Sequence, residues 1–381
     1  MSGPDFVYSR CPMKHHVRTQ AWLPLCRRRL GAIREGRQER HLRRLRYFTF
    51  CAVEAVDVLM LDVARVIRPS NNGQFDTVFF FTRSDESVGE TRNNIPGAIG
   101  FPGSFVDIVL TPDDGEDINT ALAALESPLE LENIAQTRER MLKLGIRRDY
   151  RRSFPFDVIN LDLEGYLFRP TEKIPGDLVR ALRKVFEWQQ KPLVIPDRPD
   201  EYLDGFGLMF TTRLGPHELS GEFLNMLRES LEQNLAGDAE LQPRLVARTG
   251  VGHIGTLLDQ DFEAFFKLSA PKIILQLLMA TDWYVDPAHG IAIYEFQRTP
   301  EGVEPYKMLH VVMDVKRHNP PVHERAPGQA SPSAAQAYPL VVRQLFERPE
   351  TVITMENIDR AAMEADLDRI EARRRKYAAE I

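Results

Sequence analysis

The sequence predicts an α/β fold built on a mostly parallel sheet that closes with an antiparallel hairpin. Three observations predict it. Short apolar runs alternate with helix-length stretches through the first 215 residues, the pattern of strands joined by crossover helices. The runs are continuously apolar rather than alternating, as in strands buried on both faces; Thr77 to Thr82 (TVFFFT) is the clearest. Two later runs, Gly290 to Phe296 and Tyr306 to Val315, lie close together across the turn-rich connection Gln297 to Pro305. That short connection implies an antiparallel pair.

Taken in order, residues 1–45 form a basic N-terminal arm. Trp22, Leu23, Leu25, Leu30 and Ile33 supply one thin apolar stripe, enough for a helix or two. The first strand is Arg46 to Ala52. A helix follows in which Val53, Val56, Met60, Val63 and Ile67 step by three and four, leaving Glu54, Asp57 and Asp62 off the stripe. Pro69 to Gly73 turns the chain. The second strand ends in Arg83-Ser84-Asp85-Glu86, and a weak helical stretch broken by Pro96 and Gly97 leads to a third strand, Phe105 to Leu110. Residues 118–146 are helical in composition, and 156–163 form the fourth strand. A helix from Asp177 to Gln190 precedes a fifth strand, Gly207 to Thr212. A helical insertion at 215–285 comes before the hairpin of strands six and seven. Residues 317–338 read as a Pro, Ala and Ser-rich linker. Residues 339–381 read as C-terminal helices, charged from Met355 onward.

The chain has 381 residues and is 43% hydrophobic, ample for a core. Its net charge of −6 hides an asymmetry. Residues 1–46 carry twelve Lys and Arg against three acids, +9, which leaves −15 on the remainder. Such a basic segment fits phosphates or an acidic partner, and equally a solvated helix neutralised by the chain's own acidic body. The three cysteines, Cys11, Cys26 and Cys51, make no disulfide framework, and no metal pattern matches Cys11, His15, His16 and Cys26. No apolar run reaches about 18 residues and no secretory leader is visible, so a cytoplasmic chain without a membrane partner is expected.

Strands one to five followed by a hairpin of strands six and seven resemble the Rossmann-like class I S-adenosylmethionine-dependent methyltransferases, over about residues 46–316. The resemblance implies a seven-stranded sheet with its switch in strand order between strands one and four. The cofactor, S-adenosylmethionine, would then face Cys51, Ala52 and Glu54 at the end of strand one. Asp85 or Glu86 would hold the ribose hydroxyls, since a carboxylate accepts from two vicinal hydroxyls. Asp113 or Asp114 would meet the adenine. At strand four the stretch Asn160-Leu161-Asp162-Leu163-Glu164-Gly165-Tyr166 stands where base-amine methyltransferases carry Asp or Asn, Pro, Pro, aromatic. Asn160 and Asp162 share one side of the strand. They are the residues to hold an acceptor amine, with Tyr166 near the substrate and Glu164 toward the cofactor. The two prolines are absent. So is the glycine-rich turn after strand one, where the chain reads Phe48-Thr49-Phe50-Cys51-Ala52-Val53-Glu54-Ala55; each missing glycine adds a Cβ and removes access to positive φ.

Two functions are therefore expected in competition. One is a divergent methyltransferase acting on nucleic acid by direct displacement. The other is a catalytically inactive methyltransferase-fold adaptor in a multiprotein bacterial complex, such as an antiviral defence system. Asp162 and Glu164 also fit a plainer role, capping a turn or pairing with nearby cations, and Asp85 and Glu86 fit the start of a helix. Gly250-Val251-Gly252-His253-Ile254-Gly255 matches a dinucleotide fingerprint, but in a helix-rich context that favours a turn between helices. His253 would be a base only if that loop reached the cleft, and His217 and His310 read as structural. Protein partners are expected, and nucleic acid would be met through the Arg-rich stretches 10–46 and 138–152. Hydrolase, NTPase and zinc-protease motifs are missing.

Overall fold

The computed structural model describes residues 11–35, 44–50, 54–111, 131–163, 167, 176–192, 202–215, 221–298, 304–318, 334–347 and 350–379. Their centre is one sheet of nine strands: β1 (Tyr47–Phe50), β2 (Val78–Thr82), β3 (Ile99–Pro102), β4 (Val158–Asp162), β5 (Gly205–Leu214), β6 (Trp283–Val285), β7 (Ile291–Arg298), β8 (Tyr306–Arg317) and β9 (Thr351–Ile353). The order is β3-β2-β1-β4-β5-β8-β7-β9, with β6 also on β8. β3, β2, β1, β4 and β5 are mutually parallel. β8 runs antiparallel to β5, β6 and β7, and β9 is parallel to β7. The chain thus winds outward from β1 to β3, returns to the other side of β1 as β4, and closes with the expected antiparallel pair.

Both faces of the sheet are covered, which is why β2 can be apolar without alternation. Phe79 and Phe81 enter one hydrophobic layer and Phe80 the other, as strand side chains alternate. The first layer packs against α5 (Phe105–Leu110), α6 (Leu131–Arg152), α7 (Asp177–Trp188), α8 (Gly221–Gly237), α9 (Leu241–Thr249), α10 (Ile254–Gln260), α11 (Phe262–Met279) and α12 (Ala334–Glu347). The second lies under α3 (Val56–Val63), α4 (Asp85–Asn94), α13 (Arg360–Ala379) and a continuous N-terminal helix. That helix is built of α1 (Pro12–Val17), a π turn (Arg18–Trp22) and α2 (Leu23–Glu35).

Several expectations are corrected. Phe105 to Leu110 is helix α5, not the third strand. Ser104 caps it by accepting the Asp107 N–H at 3.3 Å, and Phe105, Ile108 and Val109 are buried at helical spacing. The third strand lies earlier, at β3, where Gly100 is obligatory: a Cβ there would stand 2.6 Å from the Phe80 ring. The sheet has nine strands rather than seven, because β6 begins where the insertion was expected to remain helical and β9 adds an edge. Helix α6 runs on to Arg152, and the expected linker ends early, since α12 starts at Ala334. Asp57 and Asp62 do not face solvent: Asp62 accepts from the Tyr377 hydroxyl at 2.9 Å and pairs with Arg373 at 3.1 Å. The glycine fingerprint, by contrast, is the turn between helices that its context favoured. Gly250, at φ +72°, closes α9 by donating to the Val246 carbonyl, and His253 precedes α10.

Two buried lysines show how the helical insertion is fastened. Lys267 of α11 bridges Glu295 of β7 at 2.5 Å and Glu350, just before β9, at 2.9 Å. Lys272, one turn on, donates to the carbonyl and hydroxyl of Ser230 in α8. With no carboxylate beside it among the described residues, burial pushes Lys272 down to about 7. Its folded value lies below its unfolded one, so the unfolded chain holds the extra proton between about 7 and 10.5. Stability therefore rises with pH across that window, and the full cost of burying the charge is carried below it. Lys272→Met is expected to stabilise the protein at pH 6 and to lose that advantage by pH 9.5, a swing on the order of 2 kcal/mol. Urea unfolding at the two pH values checks this; an offset equal at both would sink it.

Candidate functional site at the carboxyl ends of β1 and β4

In an open α/β sheet the ligand crevice lies beyond the carboxyl ends of the strands, at the switch in strand order. Here the switch is between β1 and β4. Of the residues expected there, Cys51, Ala52, Asp113, Glu164 and Tyr166 lie outside the described residues, as does His217. Glu54 is half-buried in the turn entering α3, near Arg374 of α13. The next residue, Ala55, is fully buried with φ +47°. The turn thus takes the left-handed conformation that glycine adopts most cheaply, but keeps a Cβ at about 1–2 kcal/mol of local strain.

Asn160 sits deep in β4, aligned with Thr49 of β1. Its Nδ2 donates to the Tyr47 hydroxyl at 3.0 Å and lies 3.4 Å from Thr49 Oγ1 and Asp57 Oδ2. Tyr47 and Thr49 both donate to Asp57 Oδ2, at 3.0 and 2.8 Å. Burial, then the Asp57 charge, pushes the Tyr47 phenol well above its ordinary value, so it remains a donor. The four side chains form a polar network between β1, β4 and α3 in which, among the described residues, Asn160 Oδ1 has no donor.

Asp162, at the end of β4, points into the same layer but meets the N-terminal helix. Lys14 Nζ lies 2.6 Å from Asp162 Oδ2, with the two side chains 8% and 11% exposed. Burial pushes the Asp162 carboxyl upward, but the charges of Lys14 and then Arg18 outweigh it and hold the group below its ordinary value. Beside this pair, the indole N–H of Trp22 donates to His310 Nε2 at 2.7 Å, and His310 Nδ1 is 2.8 Å from Thr211 Oγ1. Burial pushes His310 down to about 3, so the ring is neutral; an Nε2 that accepts leaves the proton on Nδ1, donated to Thr211. Both ring nitrogens are committed, and His310 has no lone pair left to act as a base. Farther along, Arg29 reaches Asp204 at 3.1 Å and Asp314 at 3.6 Å.

The N-terminal helix is therefore a structural member of the sheet's upper face, and Lys14, Arg18 and Arg29 are spent inside the protein. Asp85 is not drawn into this cluster. It lies exposed with Glu86 in the first turn of α4, where Ser84 caps by accepting the Ser87 N–H at 3.2 Å. The structure joins Asn160 to β1 and α3, joins Asp162 to Lys14, and leaves Asp85 at the rim of β2. Lys14, Trp22 and Asp57 are the members the sequence did not single out. Tyr47 and Thr49, hydroxyls two apart on an otherwise apolar strand, were the available signal for a buried acceptor.

Among the described residues no group of three or more His, Cys, Asp or Glu is placed to hold a metal ion. No described helix is long and apolar enough to cross a membrane. No family model, no curated protein and no solved structure matches the chain.

Proposed function

We propose that the chain is a methyltransferase-like protein that does not bind S-adenosylmethionine, and that it serves as an adaptor subunit of a nucleic-acid-directed assembly. The strand order supports the methyltransferase-like part: five parallel strands wound outward and back from β1, then an antiparallel strand inserted between β5 and β7. A plain dinucleotide-binding sheet does not call for that insertion.

The Lys14–Asp162 ion pair carries the non-catalytic part. A cofactor with a cationic amino group needs an unengaged carboxylate beyond these strands. Here the chain's own ammonium occupies the acid at the end of β4, and Ala55 keeps a Cβ at the turn after β1. These residues do not fit the cofactor, and no transfer step follows from them. Calorimetric titration of the full chain with S-adenosylmethionine and S-adenosylhomocysteine is expected to give no heat of binding up to millimolar ligand. Micromolar binding that is lost in Asp85→Ala would overturn the proposal and make the protein a working, divergent enzyme.

A further inference from the structure

At the opposite end of the strands, α6 and α7 finish close together before β4 and β5. A hollow of about 230 Å³ opens between them, lined by Leu144, Arg147, Arg148, Arg151, Arg152 and Lys191. Five of the six are cations and none is acidic. Cations favour helix C-termini, which accounts for one or two at each end. It does not account for five lining one concavity.

The hollow is also built rather than incidental. Arg147 is 4% exposed, donates from Nε to the Val109 carbonyl at 3.3 Å, and lies 5.6 Å from the centre of the Trp188 ring. Lys191 is tied to the Arg151 carbonyl, and burial together with the Arg151 charge lowers it to about 8. Arg148, Arg151 and Arg152 are exposed at the rim, Arg148 with Asp149 as a neighbour at 3.5 Å. Arg147 and Lys191 thus hold the floor of the hollow, and the exposed guanidinium groups at its rim can turn toward an anion placed there.

We propose that this hollow binds a phosphate group, presented by the backbone of a nucleic acid. Guanidinium forks match phosphate oxygens in pairs. The volume falls below the roughly 300–1,000 Å³ of pockets that enclose a whole small ligand, and suits one phosphate with its base outside. Exposed Arg140 lies two turns before Arg147 and Arg148 on α6, so basic groups extend about 18 Å along the helix to Arg152, a track suited to a polymer. The site does not depend on the methyltransferase-like assignment and is far from Asp162.

The test is fluorescence anisotropy of the full chain with a labelled 20-nucleotide single strand and its duplex, across a KCl series, with inorganic pyrophosphate as competitor. Arg148→Gln/Arg152→Gln, two exposed positions, is expected to weaken binding about tenfold or more and to lower the salt slope by about 1–2. Arg27→Gln/Arg34→Gln removes the same charge from the exposed side of α2 and is expected to change affinity less than twofold. Pyrophosphate bound at the hollow without oligonucleotide would keep the phosphate site and assign it to a soluble ligand. Equal losses in the two double variants, no loss in Arg148→Gln/Arg152→Gln, or no binding of either ligand would overturn the proposal.

Discussion

Replacing Lys14 by methionine should lower the unfolding free energy by about 3–5 kcal/mol, the cost of leaving a buried carboxylate without its partner. Were Lys14 an ordinary surface lysine, the loss would be about 0–1 kcal/mol. The difference follows from burial: Asp162 has only 11% of its side chain exposed, and its second oxygen has no hydrogen-bond donor among the described residues. The double variant Lys14→Met/Asp162→Leu should recover most of the loss, because removing both charges also removes the desolvation penalty. Urea midpoints for wild type, the two single variants and the double variant form the cycle that measures this. Additive losses would mean that the pair contributes nothing as a pair.

Tyr150 should give the largest effect on the other face. Its ring sits within 4.8 to 5.2 Å of Phe48, Phe81, Phe101 and Phe154, centre to centre, and is fully buried. Tyr150→Ala removes the middle of that cluster and should cost about 3–5 kcal/mol, with the cavity adding to the lost transfer energy. Tyr150→Phe should do the reverse. The Tyr150 hydroxyl is buried with no hydrogen-bond partner among the described residues, and burial pushes its pKa well up. Deleting it relieves a desolvation cost, so the variant should gain about 1 kcal/mol. A Tyr150→Phe protein that unfolds earlier than wild type would show that the hydroxyl has a partner.

The strands of the parallel core were legible because burial on both faces writes the same signal at every position, as in Val78 to Thr82. The exchange of strand for helix at 99–110 shows where that signal fails. Phe105 to Leu110 is apolar enough for either state, and a six-residue run holds little more than one helical turn of periodicity. The true strand contains Gly100 and Pro102, which local propensity counts against it. Contact with Phe80 demands the glycine, and no local rule can see Phe80. The same limit applied at the crevice. Asn160 and Asp162 stood out as polar residues ending a buried strand. Their partners come from elements distant in sequence: Asp57 from α3, and Lys14 from a segment whose composition suggested an arm reaching outward. Net charge counts cations without saying which of them the fold consumes.

The π turn at Arg18 to Trp22 has a consequence for how the N-terminal helix can vary. Lys14, Arg18, Trp22 and Cys26 follow one another in steps of four, and all are buried. In an unbroken α-helix such steps drift about 40° each around the axis. The wider turn absorbs that drift, so one row of side chains stays turned to the sheet from the Asp162 end to Gly207, against which Leu25 packs. A π turn holds one residue more than the α-helical turn it replaces, so deleting a single residue inside it would restore a regular helix and leave the two halves close to their present orientation. The same deletion in α1 or α2 would swing the residues on either side apart by about 100° and turn part of the row away from the sheet. One residue can therefore be lost at Arg18 to Trp22, whereas the flanking turns hold their length.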